Sequence, residues 1–401
     1  MECSNRKGQF PLIDLAIRGL KKIRFWNETP GQSFPTVGLI IVISYPITWL
    51  VPGWLFIVTS QDDLTHLIKA VNEQIVFFVV FFKLFIFSIN FRRWEPLFYD
   101  LQRAYTSVMD NPNMDVQRII GHVEKSSYYL TKWYGILMSM ECAVYGILPI
   151  ILVAVNYAIT GSYDVPLLTP LEANYFIPGY RTNFWIWLPF DIVLNVVLQI
   201  HGIAIFLTEC FTWNLIHATS CLFKVLQLQA EELSDESGRK DECRELKFTR
   251  FVTLHDSVLR VARTLEQILR IPILLLYMST ILALCLMLIV LSLAFEDVYL
   301  LTIMVSTLGY CLFQIFSFSY LGTELIVESG AVADAIFHST WYNQNVQRQK
   351  EICFVVMRAN KPVCLTAGKL FTVTRDSFTE VIKQAYTVFT LMSQFLNDSV
   401  N

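Results

Sequence analysis

Hydroxyl and amide side chains recur along the last apolar stretch of the chain, residues 370–396. They are Thr372, Thr374, Ser377, Thr379, Thr387, Thr390, Ser393 and Gln394. The apolar residues between them recur at three- and four-residue steps, which predicts a helix. Such a helix is suited to contact other helices or water rather than lipid on all sides. The polar stripe is interpreted as a packing face, a transporter cavity wall or a pore lining. Packing and pore lining are compatible, because one helix has several faces.

Charged side chains inside predicted membrane spans are a second source of chemistry, because they are costly in lipid and mark function or a buried pair. They are Lys83, Glu141, Asp191, Glu209 and Lys383. We expect Lys83 to extend toward its cytoplasmic helix end and Glu209 to lie near the inner boundary. Glu141 and Asp191 are expected to pair or to line a polar cavity, and Lys383 to face a neighbouring helix.

Catalytic and metal-binding patterns do not stand out from the rest of the sequence. The six histidines lack metal-ligand spacings such as H-E-x-x-H, and neither a G-x-S-x-G motif nor a P-loop occurs. His201 in the fourth span is interpreted as structural, at the border of a pocket. The sequence therefore predicts no enzyme, no cofactor, no metal site and no nucleic-acid partner.

Composition identifies the chain as an all-α membrane protein with seven transmembrane helices. Of its 401 residues 54% are hydrophobic and 16% charged, whereas soluble domains carry about 25% charged residues. The predicted spans are 37–58, 75–91, 135–159, the first half of the helical pattern 184–233, 271–295, 298–322 and 370–396. The nine cysteines all fall outside the predicted extracellular segments, which argues against a disulfide framework.

Several helical patterns are too long for the membrane alone. The pattern from 184 to 233 would extend roughly 75 Å at 1.5 Å per residue, against a hydrocarbon core of about 30 Å. Long helices are therefore expected to continue into a cytoplasmic layer. The predicted organisation comprises a cytoplasmic segment (1–36), six spans with extensions (37–340), an anchor segment (341–369), the seventh helix (370–396) and an extracellular tail (397–401). A polar connection is predicted at 92–128 and a flexible break at 234–241.

Positive charge predicts the orientation of these spans. Of the 31 Lys and Arg residues, all but five lie in alternate connections, which places the N-terminus in the cytoplasm and the C-terminus outside. This inverted topology argues against a seven-helix G-protein-coupled receptor. The lack of an internal repeat argues against a secondary transporter.

The C-terminal fifth carries a family resemblance. The residues concerned are Gly322, Leu325, Glu328, Ser329, Val332, Ala335, Trp341, Tyr342, the run Ala367 to Phe371 and the run Tyr386 to Leu391. Together they resemble the C-terminal signature of insect odorant receptors. A gustatory receptor of the same superfamily remains the alternative, although Val388 replaces the tyrosine of that family's signature.

The resemblance implies an odorant-tuning subunit in the plasma membrane of a sensory neuron. It implies a ligand-gated, non-selective cation channel assembled as a hetero-tetramer with the odorant co-receptor, in contact with lipid and permeant cations. The seventh helix would line the pore. By position in the motif, Leu391, Gln394 and Phe395 would form its gate, and an apolar ring that opens by wetting is physically reasonable.

The resemblance also implies an odorant pocket among the second, third, fourth and sixth spans, in their outer halves. Apolar and aromatic walls with a few polar groups suit a small volatile aromatic or heterocyclic ligand. The candidate ligand-binding residues are Phe78, Phe82, Cys142, Tyr145, Gly146, Gln199, Gly202, Ile203 and Tyr310. Ordinary helix packing is the competing interpretation for each of them.

Overall fold

The computed structural model describes residues 11–59, 64–109, 113–161, 167, 169–232, 241–293 and 297–400. Its α-helices are α1 (Pro11–Lys22), α2 (Thr36–Tyr45), α3 (Val51–Thr59), α4 (Leu64–Ile89), α5 (Phe91–Met109), α6 (Met114–Thr160), α7 (Phe184–Glu232), α8 (Asp241–Leu293), α9 (Val298–His338), α10 (Val346–Ala359) and α11 (Arg375–Val400). A π-helical turn (Pro46–Leu50) joins α2 to α3, and a 3₁₀ turn (Trp341–Asn343) precedes α10. The strands β1 (Thr366–Ala367) and β2 (Phe371–Thr372) form an antiparallel pair.

The predicted all-α membrane class is confirmed. Six helical stretches are long and apolar enough to cross a membrane: α2 with α3, then α4, α6, α7, α8 and α9. The seventh, α11, has 26 residues and is more polar, as its row of hydroxyl and amide groups predicts. The predicted break at 234–241 lies outside the described residues except for Asp241, where α8 begins.

The long helices continue well past the length that a membrane needs. Helices α6, α7, α8 and α9 have 47, 49, 53 and 41 residues, whereas about 20 residues span the hydrocarbon core. Helix α7 is central to the packing, since every residue from Thr208 to Phe223 is buried. It contacts α1, α6, α8 and α9, so the membrane spans and their extensions share one continuous core.

The predicted polar connection at 92–128 is mostly helical, because α5 and the start of α6 occupy most of it. Helix α5 is strongly amphipathic and buries Phe91, Trp94, Leu97 and Leu101 against α7 and α8. The polar residues of the segment lie on the opposite face of this helix.

A two-stranded hairpin connects the anchor segment to the seventh helix. Gly368 and Lys369 have φ values of 60° and 65°, as tight hairpin turns require, and the Leu370 N–H donates to the Ala367 carbonyl at 2.9 Å. The Gly368 N–H donates to the Arg270 carbonyl of α8 at 2.8 Å. The seventh helix therefore begins at Arg375, five residues after the predicted start at 370, because Phe371 and Thr372 belong to β2.

The hairpin is also held against α9. A Cβ atom on Gly322 would lie 2.3 Å from the Val373 carbonyl oxygen, so only glycine permits this approach. Just beyond, the Arg375 N–H donates to the Thr323 hydroxyl at 2.9 Å. The hairpin thus fixes the start of α11 between α8 and α9, and both glycines belong to the C-terminal motif.

Candidate functional site

A cavity rich in apolar and aromatic side chains lies between five of the six membrane-length stretches, namely α2 with α3, α4, α6, α7 and α9. It is lined by Tyr45, Trp49, Val76, Phe77, Val80, Met138, Glu141, Cys142, Tyr145, Leu198, His201, Gly202, Ile205, Thr307 and Tyr310. Its volume is about 70 Å³, whereas an engineered cavity of about 150 Å³ holds benzene. An occupant must therefore be small, or the lining side chains must shift as it binds.

Helical periodicity explains which residues reach the cavity. On α6 the lining positions are Met138, Glu141, Cys142 and Tyr145, which follow three- and four-residue steps. On α7 the same steps give Leu198, His201, Gly202 and Ile205. A Cβ atom on Gly202 would lie 2.9 Å from the Cys142 sulfur, so this glycine allows the two helices to approach closely.

Histidine 201 is held in a fixed orientation at the cavity wall. The Trp49 indole N–H donates to His201 Nδ1 at 3.1 Å. Because an indole can only donate, Nδ1 must accept, and the proton lies on Nε2. Nε2 lies 3.1 Å from the Ile41 carbonyl oxygen, to which it donates. Both ring nitrogens are therefore used by the protein, as the structural interpretation of this residue expects.

Two of the three cavity tyrosines are hydrogen-bonded to side chains of α9. The Tyr145 hydroxyl lies 3.1 Å from the Thr307 hydroxyl, which itself donates to the Ile303 carbonyl. Tyr145 is therefore the donor of the pair. The Tyr310 hydroxyl accepts from Gln314 Nε2 at 2.7 Å. These contacts fix the positions of two rings in the cavity wall.

Four of the nine predicted ligand-binding residues meet in this cavity: Cys142, Tyr145, Gly202 and Tyr310. Phe78, Phe82, Gln199 and Ile203 do not line it, and the side chains of Phe78 and Ile203 are 45% and 49% exposed. Phe78, Gln199 and Ile203 each lie one residue after a lining position on their helix, and Phe82 lies two residues after Val80. One residue turns a helix by about 100°, which is enough to move a side chain from the cavity to the outer surface.

Gly146 has a packing role rather than a lining role. The Asn195 side chain donates to the Gly146 carbonyl at 2.8 Å, and a Cβ atom on Gly146 would lie 2.0 Å from Asn195 Oδ1. Asn195 also donates to the Asp191 carboxylate at 3.1 Å. Glu141 and Asp191 thus have different surroundings, and Glu141 is the one that lines a cavity.

Tyr310 connects the cavity to a buried ion pair. The Gln314 side chain that donates to Tyr310 also accepts from Lys83 Nζ at 2.8 Å. Lys83 Nζ lies 2.8 Å from Glu209 Oε1, and both side chains are nearly buried, at 12% and 6% exposure. The expectation that Lys83 reaches the cytoplasmic boundary is therefore wrong, because Glu209 and Gln314 satisfy its charge inside the bundle.

A second charged cluster connects the segment before α7 to the N-terminal part of α4. Lys69 Nζ lies 3.1 Å from Glu172 Oε1, and Arg181 Nη2 lies 3.5 Å from Glu172 Oε2. Burial favours the protonated carboxyl, yet Lys69, His66 and Arg181 together hold the pKa of Glu172 well below its usual range. The ion pairs therefore persist at neutral pH, and their contribution to stability falls only as the pH drops below the ordinary carboxyl pKa.

The predicted gate residues lie near the C-terminal end of α11. The side chain of Leu391 is 52% exposed, Gln394 is also exposed, and the side chain of Phe395 lies outside the described residues. Helix α11 buries Val381 and Ala385 and packs mainly against α8 and α9. Lys383 was expected to face a neighbouring helix, but it is exposed and pairs with Glu380 of its own helix at 2.8 Å.

Sequence reasoning missed the contribution of the first span. Tyr45 and Trp49 are buried cavity residues, and their four-residue spacing around Pro46 could have suggested a shared face. Within the described ranges, no group of three or more His, Cys, Asp or Glu side chains could hold a metal ion.

Comparisons with family models and with known sequences indicate the same family. The family model described as 7tm Odorant receptor matches residues 63–386. Odorant receptor Or2 of Anopheles gambiae is 22% identical over 392 residues, which cover 94% of this chain and 97% of that protein. The odorant receptor coreceptor of Drosophila melanogaster is 33% identical over 98 residues, which cover 24% of this chain and 20% of the coreceptor.

The fold matches a solved structure of the same kind. The olfactory receptor OR5 from Machilis hrabei, in complex with eugenol, superposes with a TM-score of 0.82 at 17% identity. The match covers 96% of this chain and 97% of that one.

Proposed function

The chain belongs to the insect 7tm odorant receptor family, and from this we propose that it is the odorant-binding subunit of a ligand-gated, non-selective cation channel. The observation that carries the proposal is the apolar, aromatic-rich cavity between the first span, α4, α6, α7 and α9. Aromatic walls with few polar groups suit a small volatile molecule. The similar receptor OR5 is described in complex with eugenol, which supports a volatile ligand for this fold. The family match also favours an odorant receptor over a gustatory receptor.

Assembly with the odorant co-receptor into a hetero-tetramer is the second part of the proposal. Homology to the coreceptor supports a related subunit as the partner. Apolar side chains on α10 and α11 are also left uncovered by the part of the chain that the structure describes, since Phe354, Met357, Tyr386 and Leu391 are all more than half exposed. In a plasma-membrane tetramer these surfaces would contact other subunits or lipid, and α11 would lie beside a central cation path.

The proposed gate is a ring of apolar side chains at the outer end of α11. Leu391 and Phe395 are four residues apart, and Gln394 is three from Leu391, so all three lie on one helical face. A dry ring opposes cations because an ion entering it loses hydration without compensation. Agonist binding would open the path by moving the helices apart until the ring is wetted.

Currents recorded from cells that express this chain with and without a co-receptor test the function. We expect odorant-evoked cation current only when both chains are present. Tyr145→Ala should raise the agonist concentration for half-maximal current about tenfold, because losing about 60 Å² of apolar contact corresponds to about 1.5 kcal/mol. Tyr129→Ala is the matched control, since Tyr129 lies on α6 but is 48% exposed. Equal effects of the two variants, at equal surface levels, would remove Tyr145 from the ligand site.

Leu391→Ser should raise the agonist-independent current, because a hydroxyl makes the proposed ring easier to wet. The effect should be partial, since this chain supplies only some of the positions in a hetero-tetramer. Leu391→Ile keeps an apolar side chain and should behave like the wild type. An unchanged resting current in Leu391→Ser, with normal surface expression, would argue for a packing role of this face.

Cysteine labelling near the C-terminal end of α11 tests on which side of the membrane this end lies. Gln394→Cys should make agonist-evoked current sensitive to a membrane-impermeant thiol reagent applied outside the cell, with the wild-type chain as control. Sensitivity only to reagent applied from the cytoplasm would reverse the proposed topology.

A further inference from the structure

One oxygen of the Glu141 carboxyl lacks a hydrogen-bond partner at the wall of the cavity. Glu141 lines the cavity and is 9% exposed, and its Oε1 atom is buried without a hydrogen-bond partner. Ser306 and Thr307 of α9 lie within hydrogen-bonding reach of the carboxyl. They leave Oε1 unsatisfied, although buried polar atoms are normally hydrogen-bonded. One carboxyl oxygen is therefore available to an occupant of the cavity.

The residues that line the cavity offer this oxygen no cation. None of the residues lining the cavity is Lys or Arg. The ammonium groups of Lys69 and Lys83 lie 3.1 Å and 2.8 Å from Glu172 and Glu209, so both pair with other carboxylates. His201 uses both ring nitrogens in contacts with Trp49 and Ile41. A positively charged or basic partner for Glu141 must therefore come from the ligand.

We propose that this cavity selects small ligands carrying a basic nitrogen, and that the Glu141 carboxyl binds that nitrogen. The inference rests on the odorant-binding function proposed above and adds the chemical class of the odorant. An ionised carboxylate in an apolar cavity is costly unless it is paired. A basic nitrogen satisfies Glu141 in either protonation state: it accepts a hydrogen bond from the acid, or it takes the proton and pairs as an ammonium with the carboxylate.

The remaining walls suit the same ligand class. Five aromatic side chains line the cavity: Tyr45, Trp49, Phe77, Tyr145 and Tyr310. Their faces attract an ammonium group through cation–π contacts while their area binds the hydrocarbon part of the ligand. The volume of about 70 Å³ favours small amines over large ones. A hydrocarbon of the same shape would gain the apolar contacts only, and an ether would add a neutral hydrogen bond but could not take the proton and form an ion pair.

Three five-membered rings of nearly equal shape test this selectivity: pyrrolidine, tetrahydrofuran and cyclopentane. Currents are recorded from cells expressing the full chain with a co-receptor. We expect pyrrolidine to activate at a concentration at least about tenfold below that of tetrahydrofuran, because hydrogen bonds to charged groups are stronger than neutral ones. Glu141→Gln should raise the half-maximal concentration of pyrrolidine about tenfold or more and leave that of tetrahydrofuran nearly unchanged.

Asp191→Asn is the matched control, because Asp191 is also a buried carboxyl in a membrane helix but lies outside the cavity. It should keep the preference for pyrrolidine. If Glu141→Gln fails to reach the cell surface, Glu141→Asp retains the carboxyl but withdraws it by one methylene, and should weaken the pyrrolidine response selectively. The ratio of pyrrolidine to tetrahydrofuran sensitivity, measured on the wild-type chain, tests the selectivity without any variant.

Equal sensitivity of the wild type to pyrrolidine and tetrahydrofuran would overturn the inference, as would a Glu141 variant that shifts both ligands alike. Currents evoked by other odorants but by none of the three rings would overturn the amine inference and leave the receptor function standing. The absence of any odorant-evoked current, with both chains at the surface, would instead overturn the proposed function on which it rests.

Discussion

Lys83→Met and Glu209→Gln are each expected to lower the free energy of unfolding by about 3–5 kcal/mol, because either change leaves a buried charge without its counter-ion. The two atoms of the pair lie 2.8 Å apart, and both side chains are nearly buried. The double variant removes both charges and should recover much of the loss. Thermal denaturation of the detergent-solubilised receptor, together with surface biotinylation, measures the effect.

An exposed ion pair provides the control for this experiment. Arg260 and Asp256 pair on the surface of α8, with side chains 61% and 56% exposed. Asp256→Asn should change stability by less than about 1 kcal/mol, since exposed pairs contribute little. If Lys83→Met were as mild as Asp256→Asn, or if the double variant were as damaged as the sum of the single ones, the buried pair would not stabilise the fold as a unit.

The same ion pair is also expected to affect ligand binding, because Gln314 connects it to the cavity. Gln314 accepts from Lys83 and donates to Tyr310, so loss of the ammonium frees the amide that orients a cavity ring. A sequence can indicate that Lys83 and Glu209 need partners, since charges in spans are costly. It cannot indicate that they pair with each other, because they are 126 positions apart and the pairing depends on how α4 packs against α7.

Hydropathy predicted the membrane spans well because it is summed over some 20 residues, so single exceptions do not change the result. Residues such as Lys83 and Glu141 did not hide the spans that contain them. The rotation of each helix was harder to predict. Phe78 and Phe82 are as aromatic as Phe77, and only the packing of α4 against its neighbours decides which face meets the cavity.

The hairpin before α11 could not be predicted from periodicity at all. Each strand has two residues, too few to show an alternating pattern, and Phe371 fits the helical spacing of the residues that follow it. The glycines of the C-terminal motif were visible in the sequence, but their role depends on tertiary contact. Gly368 is required where the chain turns, and Gly322 is required where the hairpin approaches α9.

Gly322→Ala is expected to abolish most of the odorant-evoked current. The new Cβ atom would lie 2.3 Å from the carbonyl oxygen of Val373 and 3.3 Å from its Cγ1 atom. A backbone atom cannot move aside as a flexible side chain does, so the hairpin and the start of α11 must shift. Overpacking costs about 1–3 kcal/mol, and a shift of that size in a two-state equilibrium changes it about 5- to 150-fold. Recording current at equal surface levels separates this effect from poor folding.

Two other glycines of the same helix show why the effect is specific to position 322. A Cβ atom on Gly309 would meet nothing within 4 Å, and one on Gly330 would only touch Pro362 at 3.7 Å. Alanine is favoured over glycine inside a helix by roughly 0.5–1 kcal/mol, so Gly309→Ala and Gly330→Ala should leave stability unchanged or raise it. Gly322→Ala gains the same helical preference, but the clash with Val373 costs more than this preference contributes. If all three variants carried normal current, the contact between α9 and the hairpin would not position the seventh helix. If all three lost current equally, helix flexibility rather than this contact would be the cause.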